Sequence, residues 1–548
     1  MTEVTFWAQD GGIARQGVDH NSDMRLGLVP MGTQPHIVRA AESTTWPWLA
    51  ETEEAINNFF DPLADAVSGA IFYAPTIFGA EVPLIVFWLV VAAAVFTIYF
   101  KGIQFTGFKT SIDLVRGKFS RASDPGEVTH FQALSSAVSG TVGLGNIAGV
   151  GVAVTIGGPG ATFWMIIAGL LGMATKFVEC TLGVKYREVH EDGTVTGGPF
   201  RYLPVAFERF GSGVSRGLTI VFAVALFLFG AVGGNMFQAN QTFAQAREVT
   251  GGEEGFLGSP GSALVFGIIL AFGVGAVILG GLKSIAAVTS RLVPIMAAGY
   301  IFACLLVILG NAGQIPAAFG TIISGAFNPE GVAGGVIGVL IIGFQRAAFS
   351  NEAGVGSAPI AHSAVKTKHP VSEGFVALLE PFIDTVVVCT MTALTIVIAN
   401  PAFYQDARDA VAGGGDAPDG VVVTSRAFET FLPQFPVLLA IAVALFAFST
   451  LITWSYYTMK AWTTLFGRSP RSELTFKLIF CLFTVVGTVM TFTSVLTFAD
   501  SMLFVCAIVN LLACYLLLPK VKEELRSFLD GRRSGRIKEV PIDERANT

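Results

Sequence analysis

The segment Ser139-Gly140-Thr141-Val142-Gly143-Leu144-Gly145-Asn146-Ile147-Ala148-Gly149 places four glycines within ten residues of an otherwise apolar stretch. Each glycine costs a helix about 1 kcal/mol relative to alanine, so a helix here is expected to break. A broken helix inside a membrane frees carbonyls that can hold a cation and N–H groups that can hold a carboxylate. Close packing through Gly145-xxx-Gly149 is the competing use. It accounts for one glycine pair, but less well for the polar Ser139, Thr141 and Asn146 beside it.

A second segment has the same character. Gly343 to Pro359 (GFQRAAFSNEAGVGSAP) mixes small residues with Arg346, Ser350, Asn351 and Glu352. Charges at membrane depth are costly unless paired or solvated. Arg346 and Glu352 are expected to pair with each other or with Lys176 or Glu179, bracing the broken helices, with a gate as the other role for Arg346. A third segment, Phe448 to Ser455, carries Ser449, Thr450 and Thr453. Such hydroxyls often bond back to the preceding turn, and they also suit hard cations as oxygen ligands. Trp454 lies one turn from Thr450 on the same face. Asn235, Gln238, Asn240 and Gln241 either line a cavity or mark the outer end of their helix. Asp384 and Asp500 read as lone acids in apolar stretches, each a candidate cation or proton site.

The elements that hold these residues follow from composition. The chain is 52% hydrophobic and 14% charged, against about 25% charged in soluble domains. Charge-free runs such as Val82–Phe100 and Ser262–Leu282 are long enough to cross roughly 30 Å of hydrocarbon. Eleven spans are expected: a span 0 at about 82–100, then spans 1 to 10 at about 134–156, 160–184, 217–244, 262–282, 286–309, 332–358, 374–399, 434–460, 474–493 and 496–518. With the loop after span 0 in the cytoplasm, 26 of the 34 lysines and arginines fall on the cytoplasmic side. That bias sets orientation: N-terminus outside, C-terminus inside. The expected divisions are an extracytoplasmic extension (1–81, with an amphipathic helix over 51–72 and no cleavable signal), a membrane domain (82–518) and a cytoplasmic tail (519–548), partly helical and then disordered. The loop at about 400–433, with Gly413-Gly414-Gly415, reads as a flexible external loop.

Other chemistries find little support. The six cysteines lie in apolar stretches without a CxxC pair, so neither a disulfide framework nor a zinc site is suggested. The six histidines read as loop or terminal residues, so a proton relay through membrane histidine is not expected. No phosphate loop or catalytic triad is present; neither an enzyme nor ATP-driven transport is indicated. Basic residues facing the cytoplasm are what topology requires, so nucleic-acid binding is not inferred.

GTVGLGNIAGVGVAVTIGGPGATFWM (140–165), followed by Val178-Glu179-Cys180, resembles the signature of the alanine or glycine:cation symporters. GFQRAAFSNEAGVGSAP (343–359) is similar to that family's second hallmark, and Phe382–Thr385 and Leu445–Ser449 also match. The resemblance covers about 82–518. It implies an all-α membrane protein of the LeuT-type fold: two inverted five-helix repeats, spans 1–5 and 6–10, with span 0 added.

The resemblance also implies sodium-coupled uptake of a small neutral amino acid (L-alanine, D-alanine or glycine) by a multi-pass protein of the inner-membrane lipid bilayer. Thr141, Gly145, Asn146 and Gly149 would present the broken span 1 to the substrate carboxylate. Phe349, Ser350, Asn351 and Gly354 of span 6 would help hold the amino acid, with Gln238 and Trp454 as cavity walls. Na+ would sit between Gly143 of span 1 and Ser449 and Thr450 of span 8. Glu179, Arg346 and Glu352 would be structural. The rival is a proton-coupled carrier of another small neutral amino acid.

Overall fold

In the computed structural model the described residues are Asn58, Pro62 and 66–545, less Phe78, Gly79, Asp192, Pro260, Gly280, Glu330, Gly331, Ala333 and Asp416. Most of the expected extension, and most of its amphipathic helix over 51–72, lies outside them. Among the described residues, seven helices are long and apolar enough to cross a bilayer, one further pair of helices is bent by 57°, and three shorter apolar helices accompany them. Each of the eleven expected segments coincides with one of these.

Span 0 is Leu84–Tyr99. Span 1 comprises His130–Thr141 and Ala148–Ile156, joined by one 3₁₀ turn, Leu144–Asn146. Span 2 is Ala161–Lys185. Span 3 runs Ser212–Val249 with a π-helical stretch at Leu228–Gly233. Spans 4 and 5 are Ser262–Ile278 and Gly281–Gly310. Span 6 breaks between Gly335–Asn351 and Ala358–His362. Span 7 is Pro370–Ala399, also with a π stretch, Phe382–Cys389. Spans 8, 9 and 10 are Phe435–Phe466, Pro470–Val489 and Phe492–Arg533.

Apolar side chains face outward as well as inward, because lipid is the solvent for these helices. Val265, Ile268, Ile269 and Phe272 line the exposed face of span 4, and Leu474, Leu478 and Leu482 that of span 9. Helical spacing puts each set on one stripe. By contrast, 72% of the most apolar window of span 10 is buried within the protein. Span 2, at 67%, is the next most buried of the long helices.

Two expectations about connecting segments need correction. The 400–433 loop is not irregular. It forms two helices, Ala402–Ala412 and Gly420–Glu429, and the triple glycine only links them. The second helix packs on the second half of span 1. An added Cβ at Gly420 would lie 2.0 Å from the carbonyl oxygen of Ala148, so only glycine permits this approach. Gln241 donates to Asp419 at 2.9 Å and Gln245 to Ser425 at 2.9 Å; those amides of span 3 hold the loop helix in place.

The tail is not disordered beyond its helix: 534–545 have a defined path. The span 10 helix continues past Pro519 for 42 residues in all, about 63 Å at 1.5 Å per residue and twice a bilayer core. The chain then turns back. Val540 N–H donates to the Lys118 carbonyl at 2.7 Å, and Arg121 pairs with Glu544 at 2.6 Å. The tail thereby packs on the segment leading into span 1.

Candidate functional site

The break in span 1 is held open by side chains. A helix end leaves backbone N–H groups without partners. Here Gly143 N–H donates to Asn146 Oδ1 at 2.9 Å, and Leu144 N–H donates to Gln238 Oε1 at 3.0 Å. Gln238 is thus a brace for the break. Gly143 has no room for a side chain: a Cβ would lie 2.4 Å from Thr450 Oγ1.

That contact brings the three expected sodium residues together. Thr450 Oγ1 donates to the Ser139 carbonyl at 3.0 Å. Ser139 Oγ lies 2.5 Å from Ser449 Oγ and accepts from Thr453 Oγ1 at 2.9 Å. Four hydroxyls and a carbonyl converge from two elements, all of them buried. Ser139 and Thr453 join the expected Ser449 and Thr450; their signal in the sequence is a hydroxyl in an apolar helix facing another such helix.

Span 6 breaks differently. Glu352 takes a left-handed backbone (φ 54°), and Gly354 and Gly356 follow at φ 97° and 85°. At Gly356 an added Cβ would also meet Asn510 at 2.9 Å. Asn510 of span 10 organises this turn. Its Nδ2 donates to the Gly354 carbonyl at 2.8 Å and to Glu179 Oε1 at 2.5 Å, while its Oδ1 accepts from Tyr202 at 2.5 Å. Glu179 therefore braces the break from span 2. Asn510 was missed, although a single amide in the apolar run 507–513 is a readable signal.

The two breaks meet at Gly145. A Cβ there would lie 3.4 Å from Ser350 Cα and 3.6 Å from the Phe349 ring. Phe349 packs edge-on to Phe237, with centroids 5.1 Å apart. Gly149 is buried, yet a Cβ added to it would meet nothing within 4 Å; open space lies beside it. Thr141 turns away, its hydroxyl 3.4 Å from the carbonyls of Ala137 and Val138 in its own helix.

Asp384 is not a lone acid. Its carboxylate accepts from Asn146 Nδ2 at 2.6 Å, from Ser350 Oγ at 2.9 Å and from Thr385 Oγ1 at 2.7 Å. It joins the breaks of both spans. Asn351, beside it, donates to Thr385 at 2.8 Å and accepts from Ala353 N–H at 2.9 Å. Asp500 is not alone either. It pairs with Arg346, and Gln345 donates to the same oxygen at 3.0 Å. The partners expected for Arg346 were Glu352 and Glu179; Asp500 of span 10 takes their place. Glu352 instead accepts from Ser357 at 2.5 Å and from Trp454 Nε1 at 3.1 Å, and Lys176 pairs with Glu380 at 3.0 Å.

Trp454 also donates to the Gly140 carbonyl at 3.3 Å. Its ring fills the groove left by Gly230, where a Cβ would approach it to 2.2 Å. It seals the seam between spans 1, 3, 6 and 8. The aromatic ring nearest Gly145 is that of Phe349. The histidine expectation also needs correction. His130 and His362 are fully buried at the starts and ends of broken helices, because the helices of spans 1 and 6 extend several residues beyond the apolar runs.

Two broken helices, a cluster of oxygens and a carboxylate between the breaks make this junction the candidate site. A family model described as the sodium:alanine symporter family matches residues 70–542. The chain belongs to that family.

The sodium/alanine symporter AgcS of Methanococcus maripaludis is 37% identical over 425 residues, covering 77% of this chain and 89% of that protein. The probable sodium/glutamine symporter GlnT of Bacillus subtilis is 31% identical over 455 residues, covering 82% and 89%. Among solved structures, that of MhsT in complex with L-phenylalanine superposes with a TM-score of 0.51 at 16% identity, covering 70% of this chain and 88% of that one. That likeness bears on the fold alone, and the fold is of the LeuT type. The chain is accordingly a membrane transporter of the sodium-coupled amino-acid class and not an enzyme.

Proposed function

We propose that this symporter couples inward movement of sodium to uptake of alanine or glycine by alternating access. The observation that carries the reading is the convergence of Ser139, Ser449, Thr450 and Thr453 beside the unwound Gly143. Oxygen ligands on a broken helix and its neighbour suit a hard cation. Sodium bound there ties span 8 to span 1 and fixes the break in its substrate-competent form.

The amino acid is assigned to the space beside Gly149 and Gly145, walled by Phe349. Small glycine surfaces and a confined apolar wall favour a methyl or hydrogen side chain, because added bulk overpacks. Span 1 backbone near Gly145 faces the carboxylate, and span 6 near Ser350 and Asn351 faces the rest. Asp384, touching both breaks, supplies negative charge for a second cation or for the substrate ammonium. The distribution of basic residues supports a cytoplasmic tail, with the tail-side halves of spans 1 and 6 facing the cytoplasmic side of the bilayer. Residues 1–81, 82–518 and 519–548 then serve as external extension, transport domain and cytoplasmic tail.

The test is uptake of labelled alanine into proteoliposomes with and without an inward sodium gradient. Accumulation only with the gradient supports the reading. Uptake that ignores sodium and follows a proton gradient overturns it and favours the proton-coupled alternative.

A further inference from the structure

At the end of the molecule that carries the tail, a line of ionisable side chains runs through fully buried surroundings. Ser120 Oγ lies 2.6 Å from His130 Nε2. His130 Nδ1 meets one oxygen of Glu373, and His362 Nδ1 meets the other at 2.6 Å. His362 Nε2 then faces Glu380 Oε2 at 3.6 Å, and Glu380 Oε1 accepts from Lys176 at 3.0 Å. The side chains of His130, His362, Glu373, Glu380 and Lys176 are all 0% exposed.

Proton positions follow from the partners. An ionised carboxylate only accepts hydrogen bonds, so both Nδ1 atoms facing Glu373 must carry hydrogen. His130 is satisfied when neutral, because the Ser120 hydroxyl can donate to its Nε2. His362 is not. Neutral, it would turn a lone pair toward Glu380 Oε2, and among the described residues neither of these two buried atoms has a hydrogen-bond partner. A second proton on His362 converts that opposition into attraction.

The charge balance points the same way. Glu373 and Glu380 of span 7 face His362 directly; His130 of span 1 and Arg187 beyond span 2 act on Glu373, Lys176 of span 2 and Tyr457 of span 8 lie by Glu380, and Glu179 and Cys180 lie by Lys176. Glu352 lies next to Lys176. Lys176 answers Glu380, while among the described residues Glu373 meets only the two imidazoles at hydrogen-bond distance, and a buried carboxylate without a cation beside it is strongly unfavourable.

We infer that His362 is a buried proton-binding site, held as imidazolium between Glu373 and Glu380, and that its proton locks this end of the transporter. The lock joins the tail-side halves of both broken spans, through His130 and His362, to spans 7 and 2. Those halves cannot separate from span 7 without breaking it. The sign follows: the lock needs the proton, so it is intact at low pH and loosens as pH rises.

The test is ¹⁵N NMR of histidine-labelled full chain in nanodiscs at about pH 8, where exposed histidines with pKa near 6.5 are neutral. One imidazolium signal, absent from H362Q and shifted to the neutral form in E380Q, is expected. Neutral signals only in the wild type, or an imidazolium unchanged by E380Q, overturns the assignment. This readout needs no transport and so stands apart from the proposed function. The lock, which rests on that function, is read by varying internal pH at fixed external pH. Alanine uptake should rise severalfold with internal pH in the wild type and stay flat in H362Q; a flat wild-type profile overturns the lock.

Discussion

The side-chain amide of Asn146 donates to the carboxylate of Asp384 at 2.6 Å while its own oxygen accepts from Gly143 N–H at 2.9 Å. One residue thus joins the unwound turn of span 1 to span 7. Ser350 joins the same carboxylate from span 6. The carboxylate of Asp384 touches both breaks.

Asp384→Asn keeps the shape and removes the charge. The sodium concentration for half-maximal uptake is expected to rise at least tenfold, a change worth about 1.4 kcal/mol. Uptake measured against sodium concentration checks this; an unchanged sodium dependence would exclude Asp384 from ion binding.

Thr450→Ala removes one oxygen from the cluster beside Gly143. A single hydrogen bond contributes about 1 kcal/mol to stability, so the variant should fold. Its sodium requirement should increase, and Thr450→Ser, which keeps the oxygen, should restore it. Thermal unfolding with and without sodium separates the effects: the sodium-induced stabilisation is lost in the alanine variant only.

The open space beside Gly149 permits a graded test. Gly149→Ala should fold and transport, with a slight gain in helix stability of up to about 1 kcal/mol. Gly149→Leu extends a bulky side chain into that space and should abolish alanine binding, with thermal unfolding checking that the variant folds. Full affinity in the leucine variant would move the substrate elsewhere.

Arg346 and Asp500 form a buried pair between spans 6 and 10. Arg346→Ala strands a carboxylate and should cost about 3–5 kcal/mol. The double variant Arg346→Gln, Asp500→Asn strands no charge and should unfold at a higher temperature than the single one. Thermal unfolding in detergent ranks the three proteins.

The broken helices, the hydroxyls of span 8 and the outline of the spans were legible because glycine and hydroxyl residues stand out against an apolar background. Partnerships were not. Arg346 and Asp500 are separated by more than a hundred positions, and nothing local distinguishes Asp500 from Glu352 as its partner. The buried histidines were misread for a related reason: His130 and His362 lie outside the apolar runs, but the protein buries them among other spans rather than in lipid. The helices within 400–433 were hidden by three glycines that turned out to be only a linker.

Sodium and the amino acid, bound at one junction, should strengthen each other's binding reciprocally. Calorimetric titration of alanine into the purified transporter, in sodium and in potassium at equal ionic strength, tests it most directly. At least tenfold tighter binding in sodium is predicted, with the difference erased in Thr450→Ala. Equal affinity in both salts would contradict the account.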